Sequence, residues 1–376
     1  MFLTSFKINA QHKDLNLNIQ EINNTDIAKI TRTFQKNILS DKRFIFPKKI
    51  NKTIEIITIP KLNTLSCHQK NIGITIDENL ILNILTKHYS NVSITEITSK
   101  HDLLNVAIRK PDLIFSGVKY FYFKDKIVWL NDFLDDTNIS YIGSNRQALD
   151  NEHDKSIAKK IMQNAHIKTA EFFTTENRNY LTEKSIPISF PVFIKPLMGG
   201  DSIGIDKNSI AYSFSDYQKK ILDIKNKQKS YSMIETYLPG KEYTVSILQD
   251  SSNGFLKAMP IEITVEGNIN GDFILDYDIK KNDSEIVLKV LDKKINDCLC
   301  EFAKDAFKVL EGRSFGRIDI KMDSEGIPHF IEANLMPGLG TGYFYRSCLL
   351  NLNMTYEQMI LTITNNGLGL CTQAHQ

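Results

Sequence analysis

Cysteine and tryptophan are scarce in this chain of 376 residues, which contains five cysteines and one tryptophan. The cysteines are odd in number, form no C-x-x-C pair and have no histidine cluster beside them. This pattern argues against a disulfide framework or a zinc site, and we expect small buried thiols in a reducing, cytoplasmic environment.

Long apolar runs and a surplus of charge are also missing. No stretch approaches the ~20 apolar residues that a bilayer-spanning helix requires, and the N-terminal MFLTSFKINAQHKD lacks the apolar core of a secretory signal. The 46 basic and 44 acidic residues leave a formal net charge of +2, which gives no reason to expect nucleic acid or a membrane surface as a partner. Internal repeats and low-complexity linkers are absent, so the length predicts two or three globular domains.

Alternating strand and helix patterns predict an open α/β layer over residues 51–147. TIEIITI predicts a strand and ENLILNILTKHY a helix, SITEIT and PDLIFSGV predict two further strands, and VWLNDFLDD followed by ISYIG predicts a helix and a strand. This order is typical of doubly wound sheets. The polar residues 1–50 are predicted to form an N-terminal extension of short helical pieces, with no role assigned.

Two further regions, residues 148–229 and 230–376, are predicted downstream. ALDNEHDKSIAKKIMQNAHI predicts one helix with Asp154 as an N-cap, and PVFIKP predicts a strand that leads into the glycine-rich turn MGGDSIGI. YSMIETYL and EYTVSIL predict strands around a Pro-Gly turn. A long amphipathic helix is predicted from Leu291 to Leu310, ending at Gly312.

The stretch RIDIKMDSEGIPHFIEAN, residues 317–334, predicts a hairpin with one polar face. Alternation with period two places Arg317 and Asp319 on that face of the first strand. A tight turn in DSEG then brings Glu332 and Asn334 of the second strand to the same face. The core-facing positions of the second strand are predicted to be Ile331 and Ala333.

The chemistry of this polar face suggests a metal site. Two carboxylates at such close range repel each other unless a cation or a proton lies between them. Oxygen ligands without histidine or cysteine suit Mg²⁺, which usually completes its shell with water and substrate phosphates. A solvated hairpin face is the alternative, and the sharp turn ANLMPG that follows favours the edge of a site.

Two lysines and a glycine turn are candidates for binding phosphate. Lys195 ends the strand FPVFIKP, and Lys155 lies at the start of a helix, where the amide dipoles favour an anion. Gly199, Gly200 and Gly204 could present backbone N–H groups to phosphates, although an ordinary surface turn explains the glycines alone equally well. The later GLGTGY is rejected as a dinucleotide loop because no acid follows about 20 residues on.

The segment IETYLPGKE predicts a place for a nucleoside. A strand edge offers hydrogen bonds to adenine, and a carboxylate such as Glu235 or Glu242 can hold ribose hydroxyls. An ordinary hairpin with solvated acids is the alternative for this segment.

Taken together and in this order, the segments resemble the ATP-grasp superfamily and, within it, the D-alanine–D-alanine ligases. The resemblance covers about residues 140–346 and depends on YIGSN, HDKSIAKKIMQNAHI, FPVFIKPLMGGDSIGI, MIETYLPGKEYTVSIL, DYDIKK and GRIDIKMDSEGIPHFIEANLMPGL. It implies a pre-ATP-grasp α/β domain followed by two α+β subdomains that enclose ATP. It further implies two Mg²⁺ ions, with Mn²⁺ as an alternative, small-molecule carboxylate and amine substrates, and a homodimer.

The resemblance also implies roles for residues at matching positions. Those implied for the nucleotide are Lys155, Lys195, Gly199, Gly200, Ser202, Gly204, Glu235, Tyr237, Leu238, Glu242 and Lys280. The implied metal ligands are Asp319, Glu332 and Asn334. The implied catalytic residues are Arg317, near the reacting carbonyl, and Lys280 and Ser202 at the phosphates.

The chain departs from the family at the positions that bind the substrates. The glycine–serine–glutamate signature after the first strand and the G-E-D-G segment are missing, and SGVKYFYFKDK stands in place of the latter. Asp201 replaces a serine of the glycine loop, Lys281 replaces a tyrosine, and the serine that binds the second substrate's carboxylate is replaced near Tyr343. Gly338 and Tyr343 are therefore expected, with Asp201 and Lys281, to bind the substrates. We expect Asp201 and Lys281 to recognise charged groups, or else to form a salt bridge in the lid.

These departures predict an ATP-dependent carboxylate–amine ligase that acts on amino acids or small peptides other than D-Ala–D-Ala. Three alternatives remain: a D-alanine–D-alanine ligase proper, a ligase that adds an amino acid to a protein, a polyamine or a natural product, and a nucleotide-binding scaffold without activity.

Overall fold

The structure, a computed structural model, describes residues 49–60, 73–74, 76–124, 126–176, 180–200, 202–250, 252–267 and 273–370. These residues form ten α-helices and fourteen β-strands. The predicted helical pieces within residues 1–50 lie outside this described part. Among the helices of the described residues, none is long and apolar enough to cross a membrane.

The first layer is a parallel three-stranded sheet in the order β2–β1–β3. Its elements follow the chain as β1 (Ile50–Thr58), α1 (Glu78–His88), β2 (Tyr89–Glu96), α2 (Lys100–Arg109) and β3 (Leu113–Ser116). The predicted open α/β layer is confirmed. Each strand is followed by a helix or a hairpin that covers its apolar side chains, which keeps the parallel sheet out of water.

The sequence patterns did not predict helix α2, although the residues that cap its N-terminus are present. The Ser99 side chain accepts a hydrogen bond from the backbone N–H of Asp102, whose carboxylate accepts one from the Ser99 N–H. This capping box has aspartate in place of the usual glutamate, and it satisfies two backbone donors that the first helical turn leaves unpaired.

The helix predicted for VWLNDFLDD is confirmed, and a hairpin that was not predicted precedes it. Strands β4 (Tyr120–Phe123) and β5 (Lys126–Trp129) pair with each other and lead into α3 (Leu130–Asp136). The predicted strand in ISYIG is wrong, because Tyr141 makes only an isolated bridge with Ile114. Strand β4 lies within SGVKYFYFKDK, the segment that stands in place of the family's G-E-D-G.

The small sheet has the strand order β6–β9–β7–β8. Its strands are β6 (Phe172–Thr174), β7 (Val192–Pro196), β8 (Ile210–Ala211) and β9 (Ser232–Thr236), and α6 (Phe214–Gln228) packs against it. The strand predicted for PVFIKP is therefore confirmed, and it lies between two neighbours inside the sheet. Lys195, near its end, pairs with Met233 of β9, whereas β8 pairs with Val192 and Phe193 on the other side of the strand.

The helix predicted to begin after the N-cap Asp154 is confirmed as α5 (Lys155–Asn164). Asp154 has extended backbone angles and accepts hydrogen bonds from the amides two and three residues later. A second helix, α4 (Arg146–His153), precedes Asp154 and was not predicted.

The large sheet is antiparallel and has the order β12–β11–β10–β13–β14. Its strands are β10 (Glu242–Gln249), β11 (Leu256–Thr264), β12 (Ile286–Lys289), β13 (Phe315–Met322) and β14 (Pro328–Asn334). The predicted amphipathic helix is confirmed as α8 (Lys293–Val309), which packs its apolar face on this sheet. The remaining helices are α7 (Tyr277–Asn282), α9 (Tyr343–Leu352) and α10 (Tyr356–Gly367).

The segment IETYLPGKE connects the two sheets. Strand β9 belongs to the small sheet and β10 to the large one, so the alternative of an ordinary hairpin is wrong. Between them Gly240 donates a backbone hydrogen bond to Met322 at 3.0 Å. A Cβ at this glycine would lie 2.6 Å from the Met322 carbonyl oxygen, so the crossing requires glycine.

A β-bulge in the C-terminal hairpin changes one predicted side-chain direction. Asp319 pairs with Glu332, but the neighbouring residue of β13 pairs with Phe330, which leaves Ile331 unpaired. The prediction that Ile331 faces the core is therefore wrong. Phe330 and Ala333 are buried in the core instead, and Ile331 lines the same cleft as Glu332.

Candidate active site

A cleft lies between the small sheet and the large sheet, and residues 273–280 cross one side of it. The cleft collects side chains from strands that are far apart in sequence but adjacent in the fold. The predicted site residues that line it are Lys195, Ser202, Glu235, Tyr237, Leu238, Glu242, Lys280, Asp319 and Glu332.

A buried carboxylate joins two lysines at the small-sheet wall. One oxygen of Glu235 lies 2.7 Å from the ammonium of Lys159, and the other lies 2.7 Å from that of Lys195. Burial alone would raise the pKa of Glu235, but the charges of Lys159 and Lys195 outweigh it and lower the pKa to about 2. The predicted nucleotide residue Glu235 therefore uses its carboxylate to fix two ammonium groups.

Lys159 was not predicted from the sequence. Its ammonium also donates to the hydroxyl of Thr169 at 2.6 Å, and its side chain is fully buried. The signal was available, because Lys159 stands four residues after Lys155, and residues at this spacing share one face of a helix. Both lysines project from α5 toward the same wall of the cleft.

Lys155 and Lys195 differ in their electrostatic environments. The ammonium of Lys155 donates a hydrogen bond to the carbonyl oxygen of Gly199. Its pKa lies below the usual value, because burial and the charge of Lys195 outweigh the opposing effect of the Glu332 carboxylate. Burial also opposes the charge of Lys195, but the carboxylates of Glu235 and Glu332 raise its pKa overall. Lys195 thus has a carboxylate in direct contact, whereas Lys155 contacts a backbone carbonyl oxygen.

Two glycines of the glycine turn adopt backbone conformations that favour glycine. Gly199 and Gly204 have φ values of +100° and +81°, a region that L side chains rarely adopt. A Cβ at Gly204 would lie 2.7 Å from the ring of Pro196, whereas one at Gly200 would meet nothing within 4 Å. Gly204 therefore holds the turn against the end of β7, and Gly200 stays open to a ligand.

Ser202 connects this turn to the segment that crosses the cleft. Its hydroxyl donates to the carbonyl oxygen of Leu275 at 3.0 Å, and the residue is buried. The neighbouring Asp201 lies outside the described residues. The proposed contact between Asp201 and Lys281 stays a prediction.

The polar face of the C-terminal hairpin converges as predicted. Arg317 donates to both carboxylate oxygens of Asp319 at 2.9 Å. The Thr244 hydroxyl donates to the same carboxylate, and the side-chain amide of Asn334 lies 3.4 Å from it. Since Asp319 is the cross-strand partner of Glu332, the two carboxylates lie on adjacent strands of one sheet face.

The donor atoms at this face fit Mg²⁺. The side-chain ligand atoms that Asp319, Glu332 and Asn334 can offer a metal are oxygens. Both carboxylate oxygens of Asp319 accept hydrogen bonds from Arg317, Thr244 and Asn334 in this structure, so a metal would take the place of some of these donors. Within the described part of the chain, no group of three or more histidine, cysteine, aspartate or glutamate residues is placed to hold a metal. Two carboxylates and an amide therefore leave most of the metal shell to water and phosphate oxygens.

A second ion pair lies where the ribose is predicted to bind. Glu242 lies 3.1 Å from the ammonium of Lys321, which also donates to the carbonyl oxygen of Phe273 at 3.3 Å. Lys321 was not singled out as a site residue, although it stands two positions after Asp319 on the same strand face. Tyr237 and Leu238 line the cleft beside this pair.

The predicted acceptor residues lie outside the lining of the cleft. Lys281 is exposed, and its ammonium lies 5.8 Å from the centroid of the Tyr277 ring. Gly338 is exposed. The ring of Tyr343 packs against the guanidinium of Arg317, with 5.4 Å between the ring centroid and Cζ.

Comparisons with known proteins agree with this arrangement. A family model described as D-ala D-ala ligase C-terminus matches residues 161–365, more than half of the chain. The D-alanine–D-alanine ligase B of Clostridium perfringens is 28% identical over 300 residues, which cover 77% of this chain and 91% of that protein.

Two solved structures show the same fold. The D-alanine–D-alanine ligase of Bacillus anthracis complexed with ATP has a TM-score of 0.60 at 21% identity, covering 84% of this chain and 97% of that one. The VanG D-Ala:D-Ser ligase of Enterococcus faecalis has a TM-score of 0.61 at 18% identity, covering 85% and 100%. The chain thus belongs to the D-alanine–D-alanine ligase family of ATP-grasp proteins and is an ATP-dependent, ADP-forming carboxylate–amine ligase.

Proposed function

We propose that the enzyme joins amino acids or small peptides and that its acceptor differs from D-alanine. The observation that carries this proposal is the environment of Tyr343, which lies near the position where the family resemblance expects a serine that binds the second substrate. Its ring lies against Arg317, and burial followed by the nearby Glu285 carboxylate raises the pKa of its phenol. A bulky aromatic group beside a buried acid is a poor site for a substrate carboxylate.

The cleft supplies the groups that the first step needs. A carboxylate oxygen of the first substrate attacks the γ-phosphorus of ATP, the bond to the β–γ bridging oxygen breaks, and an acyl phosphate and ADP form. Lys155, Lys195 and Lys280 offset phosphate charge, and the Glu235 ion pairs keep the ammonium of Lys195 in place. Positioning and charge neutralisation carry such a transfer without a covalent enzyme intermediate.

The acidic face is assigned to the metal. Asp319, Glu332 and Asn334 would hold Mg²⁺, with two ions and Mn²⁺ as further expectations, and the metal would neutralise charge on the β- and γ-phosphates. Arg317 binds Asp319 through Nε and Nη2, which leaves Nη1 outside this pair. We assign Nη1 to the oxyanion that forms when the amine attacks the carbonyl carbon and phosphate leaves, a role worth ~10²–10³ in rate.

The test is a screen of amino acids and dipeptides, alone and in pairs, for ATP-dependent phosphate release, with the coupled product identified by mass. We expect one pair to stimulate release above the background, and D-alanine alone to fail. D-Ala–D-Ala as the preferred product would contradict the proposed acceptor. A complete lack of stimulated release would contradict the proposed amino acid and peptide substrates. Adding a protein or polyamine acceptor would then distinguish a different acceptor class, which restores release, from a nucleotide-binding scaffold, which does not.

Tyr343 can be tested directly. Tyr343→Ser should raise the use of small zwitterionic acceptors such as D-alanine, because it removes the ring and supplies a hydroxyl. The matched control is Tyr343→Phe, which keeps the ring and should keep the substrate preference of the wild type. Equal preference in all three proteins would remove Tyr343 from acceptor selection.

Two further features follow from this function. We propose a cytoplasmic location, where ATP is available and cysteines stay reduced, and a homodimer as in the family resemblance. Gel filtration with light scattering tests the dimer, and a monomeric mass at micromolar concentration would contradict it.

A further inference from the structure

Residues 273–285 form a cover segment that crosses the cleft and contains helix α7 with Lys280. Residues from its first half, together with Lys280, line the cleft. The Lys280 position therefore depends on how the ends of this segment are held.

The first half of the cover segment is fixed by the site itself. The ammonium of Lys321 donates to the carbonyl oxygen of Phe273, and the hydroxyl of Ser202 donates to that of Leu275. The backbone N–H of Tyr277 donates to the carbonyl oxygen of Ile205 at 3.4 Å. These contacts come from the nucleotide-facing strand and from the glycine turn.

The second half is held from outside the cleft by Arg346 of helix α9. Its Nη2 lies 2.5 and 2.6 Å from the two carboxylate oxygens of Asp283, and its Nη1 lies 3.3 Å from Glu285. Its Nε donates to the carbonyl oxygen of Thr341 at 3.2 Å. One guanidinium thus joins both residues of the cover segment to the loop that precedes α9.

The charges and the backbone at this point explain why the segment needs such a partner. Asp283 caps α7 with a φ of +53°, a conformation that is unfavourable for a residue with a side chain. Glu285 is nine-tenths buried, and it binds the same guanidinium as Asp283. Two carboxylates therefore lie close together at a partly buried position. Burial opposes the charge of Arg346, but Asp283 and Glu285 raise its pKa overall. Without Arg346 the two carboxylates would repel each other.

We propose that Arg346 is a positioning residue: by binding Asp283 and Glu285 it holds helix α7 so that Lys280 faces the phosphates of ATP. This inference rests on the proposed role of Lys280 in nucleotide binding. Arg346 itself lies outside the lining of the cleft.

The first test is the kinetics of Arg346→Gln. We expect kcat/KM for ATP to fall by about 10- to 100-fold, because a cation displaced by about 1 Å loses much of its effect on the transferred group. Arg346→Lys should recover part of this loss, since one ammonium can still pair with Asp283. The matched control is Arg146→Gln, because Arg146 also binds two carboxylates, at 2.8 and 3.2 Å, but lies on α4 at the surface. The control should retain wild-type kinetics.

The second test combines Arg346→Gln with Lys280→Gln. If Arg346 acts through Lys280, the double variant should be no worse than Lys280→Gln alone. Losses that multiply, or wild-type kinetics in Arg346→Gln, would overturn the positioning role while leaving the ligase proposal intact. Wild-type kinetics in Lys280→Gln would overturn the role of Lys280 and this inference with it. Wild-type protein without ATP-dependent turnover would instead contradict the proposed function.

Discussion

Substitution of the buried Glu235 is the sharpest test of what stabilises the small-sheet wall of the cleft. Glu235→Gln keeps the shape of the side chain but removes the charge that lies between the ammonium groups of Lys159 and Lys195. Both lysines are almost fully buried, so water cannot replace the lost counter-ion. The variant should therefore be less stable, because two cations would face each other in a medium of low polarity.

The magnitude follows from the electrostatics of the wild type. The pKa of Glu235 falls from 4.5 to about 2, and this difference corresponds to ~3 kcal/mol of stability at neutral pH. Removal of one partner of a buried ion pair typically costs ~3–5 kcal/mol. We therefore expect Tm to fall by roughly 5–10 °C.

Thermal and urea unfolding at pH 7 measure this effect, and Glu262→Gln is the control. Glu262 also pairs with a lysine, at 2.9 Å, but the ammonium of Lys241 is exposed and the pair should contribute less than ~1 kcal/mol. Because the native pKa of Glu235 is depressed, its contribution is complete above a pH of about 4.5 and disappears as the pH falls toward 2. Equal losses in both variants, or a constant difference down to pH 3, would refute the reasoning.

Two other predictions concern the metal face and the glycine turn. Asp319→Asn and Glu332→Gln should each lower ATP-dependent phosphate release at least ~100-fold while the circular dichroism spectrum stays that of the wild type; full activity in both would contradict the metal assignment. Gly204→Ala should cost ~1–3 kcal/mol in urea unfolding, because its φ is +81° and the new Cβ would lie 2.7 Å from the ring of Pro196. Gly200→Ala, which would meet no atom within 4 Å, is the control and should unfold like the wild type.

The sequence predicted well those parts of the fold that depend on local pattern. Alternation with period two correctly predicted that Asp319 and Glu332 share one face, but it did not predict their pairing. The register beside the turn pairs Ile320 with Phe330, and the bulge at Ile331 then brings Glu332 opposite Asp319. The N-cap at Asp154 was also predicted correctly. The same residue ends the helix Arg146–His153 before it, which was not predicted.

Features that depend on distant contacts could not be predicted. The bulge at Ile331 shifts the pairing of β14 with β13 by one residue, and no pattern in IPHFIEAN predicts it. The spacing of Lys159 from Lys155 was visible in the sequence, but its partner was not. Its contact with Glu235, which is 76 positions away and lies 2.7 Å from its ammonium, depends on the fold.

The placement of the site residues explains how the acceptor-binding residues can change while the ATP-binding residues are kept. Glu235, Glu242 and Asp319 lie on strands, where each is fixed by backbone pairing and by an ion pair or hydrogen bonds within the protein. A substitution there disturbs both the sheet and its partners. Lys281 lies instead on α7 and Tyr343 in the first turn of α9, outside the sheets, so a substitution at either position leaves the register of every strand unchanged. New acceptor specificity can therefore arise on an unchanged ATP-binding framework, since binding residues on such elements vary at little cost to the fold.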